Sequence, residues 1–434
     1  MSSIRKKVRP AAGIHAAIRL PGSKSMTHRA LMIAALAGGP GEIRRPLKAE
    51  DTLITAKALE QMGTGVDWQG DSIRVVPAKH RWTKPSGPIF LGNSGTTTRL
   101  LLPIAAAGKG EFVLDGTARL RERPVGPVAR ALETLGAGIE WLGTPGFPPL
   151  KLTGAGLRGG TVTVDASKSS QFLSGLLLAA PTAAEGLTIE WTEPAASFPY
   201  VAMTLEMMQQ AGIHLDRPAP NAVFVPAPQT YAPADFTVEG DCSTASYFWG
   251  AAALTGGTVF TSPVFPGSLQ GDSAFLGVLG KMGCRIEWEA EGVRVTGPQQ
   301  LAPIDIDMNE MPDMVPTLAV VAAFAPGTSS IRNVAHLRIK ESDRLEAVAS
   351  GLKLLGVPVR ELPGGLVISG GNPRTPAAPI RAFDDHRIAM AFALAGLRVE
   401  GVEIEGAESV AKSFPEFWQY FDRLAEPDNS NKTE

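Results

Sequence analysis

The sequence predicts an α/β protein assembled from six copies of one module, and two periodic features carry that reading. The first is a phrase of the form apolar-x-x-apolar-Gly followed by a short alternating strand. It reads Leu59-Glu60-Gln61-Met62-Gly63, Leu132-Glu133-Thr134-Leu135-Gly136, Met208-Gln209-Gln210-Ala211-Gly212, Leu279-Gly280-Lys281-Met282-Gly283 and Leu352-Lys353-Leu354-Leu355-Gly356. The glycines are spaced by 73, 76, 71 and 73 residues, a near-constant period. Physically the phrase is a helix C-terminus, where glycine supplies the left-handed conformation that other residues resist. Three of the following strands share an acidic-Trp ending, at Asp67-Trp68, Glu140-Trp141 and Glu287-Trp288.

The second feature is a helix apolar on nearly all sides, recurring at the same period. Its copies are Leu31–Ala37, Leu100–Ala107, Phe172–Ala180, Ala245–Leu254, Thr317–Ala325 and Ile388–Ala395. A helix this short and apolar all round is buried inside a globular domain, not in lipid. Each module therefore holds one buried helix, one amphipathic helix and several short strands. The sixth ends at its amphipathic helix, Glu416–Leu424, without a final strand. The early strand Ile14–Leu20 is expected to complete it, which would join the N-terminus to the last three modules. The polar tail Glu426–Glu434 is expected to be disordered.

At 434 residues the chain should split into two or three domains, and a 44% hydrophobic fraction gives ample core material. Lys and Arg total 41 against 43 Asp and Glu, so no global basic excess exists to hold nucleic acid or a membrane surface. Any anion specificity must come from local clusters. The two cysteines, Cys242 and Cys284, have no metal-ligand spacing, so neither a disulfide framework nor a metal site is expected. Met1–Pro10 is basic but lacks the apolar core of a signal peptide, and a cytoplasmic protein is expected.

A polar string precedes each buried helix. The strings are Pro21-Gly22-Ser23-Lys24-Ser25-Met26-Thr27-His28-Arg29, Leu91-Gly92-Asn93-Ser94-Gly95-Thr96-Thr97-Thr98-Arg99, Ser167-Lys168-Ser169-Ser170-Gln171, Gly240-Asp241-Cys242-Ser243, Met311-Pro312-Asp313 and Asp384-Asp385-His386-Arg387. Helix capping accounts for Ser243 and Asp384. It does not account for Lys24, Arg344, Arg387 and Lys412, which fall at or just before predicted helix starts, where the helix dipole disfavours cations. Ser342 or Asp343 caps the helix that Arg344 enters, and Arg344 gains nothing from helix formation there. An anion at these points would use both the free backbone N–H groups and the added charge. A charge-assisted hydrogen bond contributes roughly 1.5–3 kcal/mol, against about 0.3–1 kcal/mol from a helix terminus, so the side chains supply the main grip. Gly22-Ser23-Lys24-Ser25 is not a nucleotide P-loop, because Ser23 replaces the required glycine. Gly92-Asn93-Ser94-Gly95 lacks the third glycine of a dinucleotide fingerprint.

Several strings resemble the 5-enolpyruvylshikimate-3-phosphate synthase family of enolpyruvyl transferases. They are Leu20-Pro21-Gly22-Ser23-Lys24-Ser25 with Arg29, Leu91-Gly92-Asn93-Ser94-Gly95-Thr96, Arg119-Leu120-Arg121-Glu122-Arg123-Pro124, Ser169-Ser170-Gln171-Phe172-Leu173 and Ser197-Phe198-Pro199-Tyr200. Pro312-Asp313, Arg338-Ile339-Lys340-Glu341-Ser342-Asp343-Arg344-Leu345, Asp385-His386-Arg387 and Ala411-Lys412-Ser413-Phe414-Pro415 continue the match in order. The resemblance implies a two-domain inside-out α/β barrel of six βαβαββ repeats with buried helices. Residues 1–20 with 241–434 would form a discontinuous domain, and 21–240 a continuous one. It also implies transfer of the enolpyruvyl group of phosphoenolpyruvate to the 5-hydroxyl of shikimate 3-phosphate, with phosphate released and no metal or organic cofactor. By the same resemblance Lys24, Gly95, Arg119, Gln171, Arg344, Arg387 and Lys412 would meet phosphoenolpyruvate. Lys24, Ser25, Arg29, Ser169, Ser170, Gln171, Ser197, Tyr200, Asp313, His336 and Lys340 would meet shikimate 3-phosphate. Lys24, Asp313 and Glu341 would be catalytic, Asp313 taking the 5-hydroxyl proton and Glu341 handling the proton at the enol methylene. Neighbouring cations should lower the pKa of Glu341 and burial should raise it. A monomer is expected.

Three positions depart from the family's commoner pattern: His336 stands where Asn is usual, Ser94 where Ala is frequent and Phe198 where Lys is frequent. The sister transferase acting on UDP-N-acetylglucosamine typically carries a catalytic cysteine in its continuous domain, and here no cysteine precedes Asp241. A non-catalytic anion-binding protein on the same fold is the other alternative. Such a protein has no need of Asp313 and Glu341 among its cations.

Overall fold

The computed structural model describes residues 3–79, 82, 85–233 and 235–425; the polar tail lies outside them. Its helices are α1 (Lys24–Leu36), α2 (Glu50–Gln61), α3 (Gly95–Ala107), α4 (Gly126–Thr134), α5 (Gln171–Ala179), α6 (Pro199–Gln210), α7 (Cys242–Thr255), α8 (Phe275–Lys281), α9 (Val315–Ala323), α10 (Arg344–Leu354), α11 (His386–Gly396) and α12 (Phe417–Arg423). Odd-numbered helices are buried almost throughout, and α9 and α11 along their whole length. Even-numbered helices bury one face, as in α4, where Val128, Ala129, Ala131 and Leu132 turn inward. After α2, α4, α6, α8 and α10 the chain turns at Gly63, Gly136, Gly212, Gly283 and Gly356, all at positive φ from 71° to 106°. The repeated glycine thus does the C-terminal work that its spacing predicts.

The chain divides into two compact units, Met1–Pro21 with Glu239–Glu434 and Gly22–Val238. In the Gly22–Val238 unit α1, α3 and α5 pack on one another and against three sheets. A Cβ at Gly175 of α5 would stand 2.3 Å from the Arg99 carbonyl oxygen of α3, so only glycine permits this helix approach. In the other unit α7, α9 and α11 form the equivalent core with three further sheets. Five of the six sheets have four strands in one order: a parallel pair, then two antiparallel strands. The strands Ile89–Phe90, Lys109–Asp115, Leu150–Ala155 and Gly138–Trp141 illustrate it. Helices inside and sheets outside make this the inside-out α/β barrel fold that the family resemblance implies.

One strand assignment is corrected. The strand His15–Arg19 does not complete the sixth module; it lies parallel to Thr258–Ser262 in the sheet of the fourth. The sixth sheet, of three strands, is completed by Arg5–Lys7, antiparallel to Glu403–Glu405. Arg5-Lys6-Lys7 carries no apolar alternation, so no strand signal was readable there; charged residues are what an edge strand tolerates. Likewise Phe236–Thr237, at the end of the Gly22–Val238 unit, lies parallel to Gly41–Arg44 of the first module. Each unit's first sheet therefore takes a strand from far along the sequence. No helix among the described residues is long and apolar enough to cross a membrane.

Candidate functional site

The buried helices begin earlier than their apolar stretches, so the polar strings are largely their first turns. Lys24 is the first residue of α1, Gly95 of α3, Gln171 of α5, and Arg344 of α10. Lys24 is thus buried in a helical turn and not held in a loop; its Nζ lies 3.3 Å from Asp51 Oδ2.

In the Gly22–Val238 unit, hydrogen bonds tie four helix starts together. Arg29, only 2% exposed, donates to Thr204 Oγ1 (2.8 Å), Ser174 Oγ (3.2 Å) and the carbonyls of Ser25 and Tyr200 (both 3.0 Å). These partners are all neutral. Burial pulls its pKa down to about 10, partly offset by Tyr200, whose ring lies 5.9 Å away. Gln171 bridges α5 to α3, accepting from Arg99 (2.9 Å) and donating to Thr96 Oγ1 (2.9 Å). Ser169 and Ser170 are buried at the start of α5, with Ser169 Oγ accepting from the Gln171 amide (3.3 Å). Ser197 is buried just before α6 with φ at +56°, a backbone state that costs a non-glycine residue roughly 1–3 kcal/mol. Tyr200 follows in the first turn of α6. Phe198 stacks near Trp191 at 5.7 Å, and the Arg217 guanidinium lies 5.7 Å over its ring.

Three arginines in Arg119–Arg123 look alike in sequence and differ in place. Arg119, the one singled out above, has a 30% exposed side chain and pairs with Glu122 at 2.7 Å. Arg121 forms a two-pronged pair with Asp115 at 2.9 and 2.7 Å. Arg123 is 3% exposed, donates to the Asn93 carbonyl at 2.7 Å, and has its guanidinium against Gly95. A Cβ on Gly95 would stand 2.4 Å from Arg123 Nη2. Sequence reading missed Arg123 because nothing local separates it from Arg119; only the fold brings it to Gly95.

The other unit carries a denser cluster. Arg344, 1% exposed, donates to Asp385 (2.8 and 3.2 Å), Asp313 Oδ1 (2.9 Å) and Glu341 Oε2 (2.7 Å). Burial works against its charge, but Asp385, Glu341 and Asp313 together raise its pKa further. Arg387 Nη2 donates to Asp313 Oδ2 at 2.7 Å, so both oxygens of Asp313 are held by guanidinium groups. Burial pushes the Asp313 carboxyl up, yet Arg387, Arg344 and Lys340 hold it well below the usual carboxylate range. His336 is buried, and its Nε2 has no hydrogen-bond partner among the described residues. Burial, reinforced by Lys340, pulls its pKa down to about 3, so the imidazole is neutral near pH 7. A neutral ring N–H is the nearest histidine equivalent of the amide usual at this position. Lys412, buried, closes the short turn Ala407–Lys412 and acts electrostatically on Asp384.

Two capping assignments change. Asp241, not Ser243, caps α7 by accepting from the Thr244 amide (2.7 Å). Asp385, not Asp384, caps α11 by accepting from the Arg387 amide (3.0 Å). Phe383 and Asp384 both adopt positive φ, 54° and 56°, and this turns the chain so that Asp385 arrives at the helix start. In α10 the choice between Ser342 and Asp343 falls to Asp343, which accepts from two amides. Ser342 instead donates to Asp385. Among the described residues no group of three or more His, Cys, Asp or Glu is placed to hold a metal ion.

The model of the EPSP synthase (3-phosphoshikimate 1-carboxyvinyltransferase) family matches residues 8–421. A 3-phosphoshikimate 1-carboxyvinyltransferase of Syntrophobacter fumaroxidans is 61% identical over 421 residues, covering 97% of this chain and 100% of that one. Its counterpart in Nostoc punctiforme is 41% identical, over 95% of this chain and 97% of that one. A solved structure of EPSP synthase from Acinetobacter baumannii superimposes with a TM-score of 0.80 at 29% identity, over 97% of this chain and 98% of that one. The chain belongs to the EPSP synthase (3-phosphoshikimate 1-carboxyvinyltransferase) family, enzymes of the shikimate pathway.

Proposed function

We propose that the two polar clusters carry that family's reaction through named residues. The 5-hydroxyl oxygen of shikimate 3-phosphate adds to C2 of phosphoenolpyruvate while a proton arrives at the methylene carbon, giving a tetrahedral adduct. Loss of a methyl proton and departure of phosphate then restore the double bond. Arg344 and Arg387 suit the forked recognition of a carboxylate, and Lys24 and Lys412 the point contact to phosphate oxygens. Gly95, Gln171, Arg119 and Arg123 complete the phosphoenolpyruvate set. Ser25, Arg29, Ser169, Ser170, Ser197, Tyr200, His336 and Lys340 would hold shikimate 3-phosphate.

The observation that carries the reading is Asp313 held between Arg344 and Arg387 at 2.9 and 2.7 Å, with Glu341 on the same guanidinium. While both arginines bond to it, Asp313 is a weak base. An entering phosphoenolpyruvate anion draws those guanidinium groups to itself, which frees Asp313 to accept the 5-hydroxyl proton. Glu341 then serves the methylene carbon. A pure anion binder gains nothing from two carboxylates that compete with its ligand. A cytoplasmic monomer working without a cofactor is part of the same proposal. The test is phosphate release with both substrates present. Steady release that requires both is expected, and no release would overturn the reading.

A further inference from the structure

Asp272 lies outside every motif read from the sequence, in the short turn Gly271–Ala274, and is 3% exposed. The Ser243 hydroxyl, one residue into α7, donates to its Oδ2. Since Asp241 caps α7, Ser243 is spared for this bond. Ser243 Oγ in turn accepts from Arg387 Nη2 at 3.4 Å, the nitrogen that also donates to Asp313. The Arg387 guanidinium therefore stands between two carboxyls, Asp313 in direct contact and Asp272 one hydroxyl away.

We infer that Asp272, acting through the Ser243 hydroxyl, positions the Arg387 guanidinium and sets, by its own charge, how strongly Arg387 holds phosphoenolpyruvate. This rests on the assignment of Arg387 above. The groups that act on Asp272 are Asp313 and Asp241, which oppose its ionisation, and Arg387 and Ser243, which favour it; Cys242 is also near. Burial is the largest influence, and the carboxyl is pushed up to about 6. Near neutral pH it therefore exchanges between two charge states. Ionised, it draws on the positive potential of Arg387; neutral, it leaves that potential to a ligand. A phosphoenolpyruvate anion at Arg387 adds negative charge nearby and pushes Asp272 further up, so binding above pH 6 takes up a proton. By reciprocity, acidification through that range tightens binding.

The test compares wild type with Asp272→Asn and Ser243→Ala for phosphoenolpyruvate KM and kcat between pH 5 and 8. The substrate's own phosphate titrates near pH 6, so the readout is the ratio of variant to wild type. For Asp272→Asn the KM ratio should fall by roughly 5-fold from pH 5 to pH 8, with kcat little changed. Calorimetry in buffers of different ionisation enthalpy should show proton uptake on phosphoenolpyruvate binding that Asp272→Asn reduces. Ser243→Ala should raise KM at every pH. A pH-independent ratio with unchanged proton uptake in Asp272→Asn overturns the inference. Arg387→Lys separates the two claims. If it leaves phosphoenolpyruvate binding intact, the assignment of Arg387 fails. If it weakens binding while Asp272→Asn changes nothing, only the role of Asp272 fails.

Discussion

Arg29 and Arg344 are about equally buried, in different units, yet their surroundings are opposite. Arg29 is surrounded by hydroxyls and carbonyls, and burial draws its pKa down. Arg344 is surrounded by three carboxylates, which raise its own further. A buried cation with neutral partners carries an uncompensated desolvation cost that an arriving anion relieves. A cation already paired gains little net charge interaction from a ligand, but the ligand changes what its former partners can do. The first arrangement favours binding and holding; the second favours coupling of binding to proton transfer.

The comparison breaks first on stability. Replacing Arg344 with Leu removes the cation that Asp385, Glu341 and Asp313 share, and should lower unfolding free energy by about 3–5 kcal/mol as well as abolish turnover. Arg29→Leu leaves only hydroxyls and carbonyls without their donor, at about 1–3 kcal/mol. Urea unfolding of the two variants measures both. Equal losses would show that the neutral and charged surroundings do not differ as described.

Much of this was legible beforehand, and the reasons are local. Apolar periodicity marked every buried helix, and the five glycines after the amphipathic helices all adopt the positive φ their role needs. The cap of α10 was readable to within two adjacent residues, Ser342 and Asp343, and the structure settles on Asp343. What stayed hidden was long-range. Arg5–Lys7 carries charge and no pattern, and Thr258–Ser262 gives no sign that its parallel neighbour is His15–Arg19. Arg123 differs from Arg119 only in what the fold brings to it. Asp51 and Asp272, the carboxyls behind Lys24 and Arg387, lie in stretches without any motif.

A smaller effect belongs to His336, which sharpens the charged side of the comparison. An unfolded histidine titrates near 6.5, whereas here burial and then Lys340 hold the ring to about 3. As pH falls, the unfolded chain takes up the proton first. The contribution of the neutral ring is complete above pH 6.5 and is lost progressively between there and pH 3, at up to roughly 1.4 kcal/mol per pH unit. His336→Asn removes that term, so its stability relative to wild type should rise between pH 7 and pH 5. A constant difference across that range would mean that the ring is not held neutral.

The smallest change tests the neutral side, at Gly95. A methyl group there would stand 2.4 Å from Arg123 Nη2, and the obstructing atoms are the far end of a flexible side chain. The guanidinium can therefore swing away, and the fold should keep its unfolding midpoint. What it loses is the close seating of Arg123 beside the α3 start, including its 2.7 Å bond to the Asn93 carbonyl. If Arg123 contributes one charge-assisted contact to phosphoenolpyruvate, roughly 1.5–3 kcal/mol, Gly95→Ala should raise the phosphoenolpyruvate KM by about 10-fold or more with a smaller effect on kcat. The shikimate 3-phosphate KM should stay put, because the Arg29 side chain bonds across to α5 and α6 through Ser174, Thr204 and Tyr200 and does not rely on Arg123. Parallel rises in both substrate KM values would instead mean that the α3 start moves as a block, and that the neutral cluster is one rigid site rather than two neighbouring ones.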